Sequence, residues 1–133
     1  MIKKLLESFH NEALKEYGLQ CEKSSMEAAI KDNYAEALVL VMDGEVVGVI
    51  AGKIMSYPLQ KGRIFQEMIW YVSKEYRRHG MKLLKALEER CKERGINMVI
   101  MVAMGNSMAD KLDSVYKGMG YNMLETQYIK VLK

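Results

Sequence analysis

Ile2, Leu5, Leu6, Phe9, Ala13 and Tyr17 recur at a spacing of about 3.6 residues, which predicts an amphipathic helix over residues 2–17 with Gly18 as its stop. Ser24 and Glu27 have capping-box spacing and open a short second helix over 25–33. The pattern then changes to strands. Ala37 to Met42 is an apolar run, Asp43-Gly44 is a two-residue hairpin turn, and a valine- and isoleucine-rich strand follows over 45–57. Gly48 and Gly52 within it point to a bulge or a close backbone approach. Beyond Pro58 and Gly62 comes a strand over 64–72. A helix over 80–94 follows, with Met81, Leu84, Leu87 and Cys91 on one stripe and Gly95 at its end. Asn97 to Ala103 carries no charge and suits a strand inside a sheet. Ser107 and Asp110 can cap a helix over 108–118 whose inner face is Met108, Leu112, Val115 and Met119. Tyr121 to Leu132 reads as a final strand or pair of strands. The expected fold is a single α/β (α+β) domain spanning 1–133. Its mixed sheet is mostly antiparallel, with one parallel strand–helix–strand crossover, flanked by helices.

With 133 residues, half of them hydrophobic and 28% charged, the chain has the composition of one ordinary soluble domain. Cys21 and Cys91 make no disulfide scaffold, and with two histidines a metal cluster is not expected. The longest uncharged stretch, Gly95–Ala109, is too short to span a bilayer. Without a signal-peptide pattern at its N-terminus, the chain reads as cytoplasmic, with no membrane partner. The 12 methionines are spread through every element and read as adaptable core filling.

Charge changes this picture once it is divided along the chain. Residues 74–94 hold eight basic and four acidic residues, a net of +4, whereas the remainder is slightly acidic at −1. The positive excess therefore sits in one segment, where a strand ends near Val72, a short basic loop follows and a helix begins near Gly80. Amide N–H groups at a helix start carry partial positive charge, and a loop that turns several of them inward makes an anion nest. Arg77, Arg78 and His79 add donors and charge, and Gly80 admits a bulky anion close to the backbone. Such a place suits a pyrophosphate. The competing reading is a solvated basic helix start with a glycine for turn geometry. No GxxxxGK[ST] occurs, and Gly118-Met-Gly120 lacks the third glycine of GxGxxG and leads from helix to strand. Basic residues are not interleaved with aromatics elsewhere, which argues against nucleic acid.

The segment Arg77-Arg78-His79-Gly80-Met81-Lys82 resembles the acetyl-CoA-binding loop, Arg/Gln-x-x-Gly-x-Gly/Ala, of the GNAT (GCN5-related N-acetyltransferase) superfamily. Asn106, Ala109 and Tyr116-Lys-Gly-Met-Gly-Tyr121 resemble its second signature, Asn-x-x-Ala…Tyr-x-x-x-Gly-Phe/Tyr. The two lie in the right order on the right elements, so the resemblance covers nearly the whole chain. There are two departures. Lys82 stands where the family usually has Gly or Ala, and the chain begins with a helix where the family usually has a strand.

The resemblance implies an acetyl-CoA-dependent N-acetyltransferase, with acetyl-CoA as co-substrate and no metal. It implies that Arg77, Arg78, His79, Gly80, Met81 and Lys82 hold the pyrophosphate. The strand backbone near Tyr71 and Val72 would pair with the pantetheine arm, where an N–H can also stabilise an oxyanion. Asn106 would hydrogen-bond the arm, though a capping asparagine explains it nearly as well. Tyr116 matches the position that protonates the leaving thiolate; the alternative is a helix tyrosine packed on the core. Attack requires a neutral amine, and Glu67 is the one carboxylate on the strand leading to the loop, so it is the candidate base. Plain alternation puts Glu67 on the face of Phe65, Ile69 and Tyr71, and a bulge would reverse that parity. A solvated or ion-paired Glu67 is the other reading. The acceptor would be an amine-bearing small molecule or a protein or peptide, attacked in a ternary complex, and the chain has room for a homodimer interface. The alternative function is a non-catalytic GNAT-fold module that binds CoA or a partner protein.

Overall fold

The structure, a computed structural model, describes residues 35–56, 61–103 and 109–132. The expected helices over 2–17 and 25–33, together with Pro58, Asn106 and Ser107, lie outside these residues.

Hydrogen-bonded pairing starts at the Asp43-Gly44 turn, where both residues have positive φ (52° and 77°), the geometry that matches strand twist in a two-residue hairpin. It joins β1 (Ala35–Met42) to β2 (Glu45–Ser56) as an antiparallel pair. β3 (Arg63–Val72) runs antiparallel to β2, and β4 (Met98–Ile100) runs parallel to β3, giving the order β1-β2-β3-β4. The crossover between β3 and β4 is a 3-10 helix (Lys74–His79) running directly into α1 (Gly80–Glu93). A second helix, α2 (Ala109–Gly118), follows β4.

Both sheet glycines mark irregularities. The register shifts between Leu40 and Val41 opposite Gly48 and Val46, so Val47 is the extra residue on β2. It shifts again between Ala51 and Gly52, opposite Ile69 and Glu67, so Met68 is the extra residue on β3. A Cβ on Gly48 would come 3.1 Å from Leu40 Cβ and Val72 Cγ2, the close approach expected from the sequence.

α1 buries Leu83, Leu84, Leu87 and Cys91 against Ile50, Phe65, Val72, Ile96 and Tyr116, whereas Met81 of the expected stripe is half-buried. Leu87 is fully enclosed, so Leu87→Ala should cost about 2–5 kcal/mol, read as a lowered urea midpoint at unchanged slope. Burial pushes the Cys91 thiol up, which fits a core residue with no covalent role. Beside it, buried Glu36 of β1 accepts from Arg90 (3.4 Å) and Arg94, tying the C-terminal end of α1 to the sheet.

Both helices stop in the same way. Gly95 (φ 71°) and Gly120 (φ 91°) turn left-handed, so that Ile96 N–H donates to Cys91 O and Tyr121 N–H to Tyr116 O (2.8 and 2.9 Å). The second closure folds Tyr121 back beside Tyr116, with ring centroids 5.7 Å apart.

Two expectations are corrected. The strand expected over 97–103 is paired only at Met98–Ile100, and Met101–Ala103 leaves the ladder. Residues 121–132 form no strand, and Met123, Leu124, Tyr128, Ile129 and Leu132 are exposed. Their apolar positions come as adjacent pairs (Met123-Leu124, Tyr128-Ile129, Val131-Leu132). Neither face of a strand would then be consistently apolar, and the two-residue period needed for docking on a sheet is absent.

Candidate active site

Three residue pairs join β3 to β4: Ile64 to Met98, Phe65 to Val99 and Gln66 to Ile100. Beyond Gln66, β3 has no partner strand on that side among the described residues. The two segments part there, and the cleft of the site is the opening between the unpaired β3 edge at Glu67–Val72 and Met101–Ala103.

The hydrogen-bond phase decides which backbone groups face it. Ser73 N–H donates to Val47 O at 2.8 Å, so Val47 and Ser73 form a bonded pair and Gly48/Val72 a non-bonded one. By alternation, Tyr71 bonds to Val49, whereas the N–H and C=O groups of Trp70 and Val72 point away from β2 into the cleft. The sequence placed the backbone contacts near Tyr71 and Val72. The ladder turns the backbone groups of Val72 to the open side, together with those of Trp70, and those of Tyr71 toward Val49.

The bulge at Met68 governs the side chains. Phe65, Trp70 and Val72 pack in the α1-facing core, and Ile69 and Tyr71 belong to a cluster with Val49 on the other face. Glu67 sits before the extra residue and so shares the side of Phe65, Trp70 and Val72, and no longer that of Ile69 and Tyr71. There it is 8% exposed. Burial pushes its carboxyl pKa up to about 8, against the lowering effect of a hydrogen bond from the Val102 backbone.

Tyr116 of α2 lies on the same side, 8% exposed, with its ring 6.0 Å from that of Trp70. Its hydroxyl donates to Val102 O at 2.8 Å. Burial raises its pKa well above that of an ordinary phenol, and the charges of Glu67 and Tyr121 add to the effect. The Tyr121 hydroxyl is anchored by donation to Glu88 Oε2 of α1 at 2.8 Å. The fold thus brings Glu67 and Tyr116 together across one residue, Val102. Trp70 and Val102 carry no readable signal in the sequence. Val102 acts through its backbone, and Trp70 reaches this face only because of the bulge.

The basic segment differs from the expected open loop. Residues 74–79 curl as a 3-10 helix, and Gly80 N–H donates to Arg77 O. Gly80 has ordinary helical angles (φ −59°, ψ −35°), so its backbone does not require glycine. A Cβ there would rest 3.7 Å from Trp70 Cζ2 and Val72 Cγ2, toward the cleft-lining strand. Arg77 turns back on the strand. Its Nε donates to Val72 O at 3.0 Å and its guanidinium lies over the Tyr71 ring, 5.5 Å from the centroid. Arg78 is exposed, with Nη1 donating to Glu75 O at 3.1 Å. Lys82 is exposed on the first turn of α1, and Met81 is half-buried beside it. His79 has its Nε2 shut from solvent without a hydrogen-bond partner. Desolvation, then the charges of Lys82 and Arg78, hold its pKa below the usual histidine value. The positive charges of Arg78 and Lys82 thus act on an imidazole whose buried nitrogen has no hydrogen-bond partner, at the start of α1. Asn106 lies outside the described residues.

No described helix is long and apolar enough to cross a membrane. Among the described residues no cluster of His, Cys, Asp and Glu could hold a metal ion.

The described fold is an antiparallel sheet ending in one parallel pair, with a basic helix start following the strand at which that pair parts. Residues 2–121 match the model of the acetyltransferase (GNAT) family, and the chain belongs to that family. No curated protein sequence matches it. Among solved structures, an aminoglycoside acetyltransferase from an uncultured soil metagenomic sample is similar, at 19% identity and TM-score 0.76. That alignment covers 99% of this chain and 90% of the other. A ribosomal-protein-alanine N-acetyltransferase from Brucella melitensis biovar Abortus 2308 aligns at 19% identity and TM-score 0.78, covering 99% and 89%. A transcriptional regulator from Bacillus halodurans gives 17% identity and TM-score 0.78, covering 98% and 92%. At these identities the likeness is one of fold.

Proposed function

We infer that this chain transfers an acetyl group from acetyl-CoA to a primary amine of its acceptor by direct attack in a ternary complex. The observation that carries this reading is the cleft itself. Backbone groups of Trp70 and Val72 face it, and Glu67 and Tyr116 flank its inner end. In this reading, Arg78, His79 and Lys82 hold the pyrophosphate at the mouth, with Gly80 and Met81 beside them. Arg77 both latches the end of β3 and adds charge. The cleft-facing amides of Trp70 and Val72 pair with the pantetheine arm, and the Val72 N–H is placed to stabilise an oxyanion. Bound acetyl-CoA supplies the activated acyl group as a thioester. Tyr116, protonated at every physiological pH, has a proton to give the departing sulfur when its hydroxyl rotates from Val102 O. Glu67, with a pKa of about 8, is matched to accept a proton from an ammonium as the amine is made ready for attack. Two similar folds are named for acetylation of an aminoglycoside and of a ribosomal-protein alanine, and both kinds of acceptor present amines. That supports an amine acceptor without selecting one.

Acetyl-CoA at about 100 times its dissociation constant should stabilise the chain by roughly 2.7 kcal/mol, seen as a raised melting midpoint. No shift with CoA or acetyl-CoA would remove this reading. With an accepting amine, Tyr116→Phe should lower thiol release by about a hundredfold or more; unchanged turnover would strip Tyr116 of its role. A second reading, CoA binding without turnover, draws on the engagement of both Glu67 and Tyr116 with Val102. CoA binding without thiol release across an amine panel would establish it.

A further inference from the structure

We propose that Glu67 and Tyr116 also act as a spacer that keeps the cleft open, each by taking one backbone group of Val102. This rests on the acetyl-transfer reading and adds a positioning role to the same two residues. In the register set by Gln66 and Ile100, the next pairs would be Glu67 with Met101 and Met68 with Val102. The ladder stops instead. Backbone groups withdrawn from a ladder must find other partners. For Val102 both are supplied by side chains: its N–H goes to the Glu67 carboxyl, and its C=O accepts from the Tyr116 hydroxyl at 2.8 Å.

The bulge at Met68 makes this possible, because it turns Glu67 toward Val102 and away from the face of Ile69. Tyr116 is held in turn by the ring of Trp70 at 6.0 Å and by Tyr121, itself anchored on Glu88. Removing the Glu67 acceptor leaves the Val102 N–H without its partner. Continuing the register past Gln66 and Ile100 would offer it an acceptor on the β3 edge. Pairing there would close the gap and occupy the cleft-facing groups of Trp70 and Val72. The spacer thus keeps the N–H groups of Trp70 and Val72 available for a ligand, the Val72 C=O being taken by Arg77.

The distinguishing set is Glu67→Gln, Glu67→Ala and Tyr116→Phe, with CoA affinity measured by calorimetry and amide exchange of Trp70 and Val72 by NMR. Glutamine keeps a carbonyl acceptor for the Val102 N–H, so Glu67→Gln should bind CoA as the native chain does and keep its exchange rates while losing turnover. Glu67→Ala should weaken CoA by about tenfold and slow exchange at Trp70 and Val72 by a similar factor. Tyr116→Phe should move both readouts in the same direction. Native exchange and CoA affinity in Glu67→Ala would overturn the spacer, as would equal losses in the glutamine and alanine variants. Should the alanine variant not fold, unchanged exchange and affinity in Tyr116→Phe overturn it instead. If the native chain binds no CoA, the acetyl-transfer reading fails, while the exchange comparison still decides whether the spacer exists.

Discussion

Glu67→Gln is expected to melt several degrees above the native chain at pH 8, with the difference closing toward pH 5. Folding raises the Glu67 pKa from 4.5 to about 8. Between those values the folded chain binds a proton that the unfolded chain has released, so stability falls as pH rises through this window. Below it both states are protonated, and above it the loss is complete. A shift of this size corresponds to a loss of up to a few kcal/mol at alkaline pH. Glutamine, which does not titrate, is spared it. Taking the difference between the two proteins at each pH removes other titrations, including that of His79, whose depressed pKa works in the opposite direction as pH falls. A pH-independent gap in melting temperature would show that Glu67 is not buried as the structure places it. Above pH 8 the same substitution should gain stability while losing thiol release, since a proton acceptor is given up for a neutral amide.

The second large effect is expected at Gly52. A Cβ there would run into Gln66 O and lie 2.7 Å from Phe65 Cζ. The first of these atoms is backbone and cannot yield without moving the strand. Gly52 also stands opposite Glu67 where the register slips past Met68. Gly52→Ala should therefore cost more than about 3 kcal/mol in urea unfolding, and any folded remainder should lose CoA binding because the bulge is displaced. Gly118→Ala is the matched control. Gly118 lies in a helix with open space around it, so alanine there should be neutral or stabilising by up to about 1 kcal/mol. Similar behaviour of the two variants would contradict the close strand approach at Gly52.

Much of the architecture could be read from local chemistry. The Asp43-Gly44 hairpin, the β2 and β3 strands, the α1 stripe of Leu84, Leu87 and Cys91, and the Gly95 stop each depend on residues near in sequence. The positive conformation of Asp43 and Gly44 and the left-handed turn at Gly95 follow from side-chain size and shape alone. The two family signatures, around Arg77–Lys82 and Tyr116–Tyr121, likewise lie in continuous segments. They mark the basic helix start and the tyrosine through neighbouring residues alone. What could not be read is what the contacts do. Formal charge makes Arg77 a candidate phosphate ligand but does not reveal its contacts with Val72 O and the Tyr71 ring, which depend on how the strand end packs. The final segment had enough apolar residues for a strand but not the alternation that a sheet requires.

The sequence by itself determined the elements, their order and the concentration of charge at one helix start, because hydrophobic period, turn chemistry and formal charge are properties of neighbouring residues. Only the tertiary structure decided where the sheet opens and what faces the opening. One extra residue, Met68, sets the direction of Glu67, and the phase of a hydrogen-bond ladder between distant strands sets the direction of the Trp70 and Val72 amides. Val102, which joins Glu67 to Tyr116, contributes only backbone groups common to every residue except proline. Its place in the site comes from the meeting of β3, the chain beyond β4 and α2 in space, and no residue type announces that meeting.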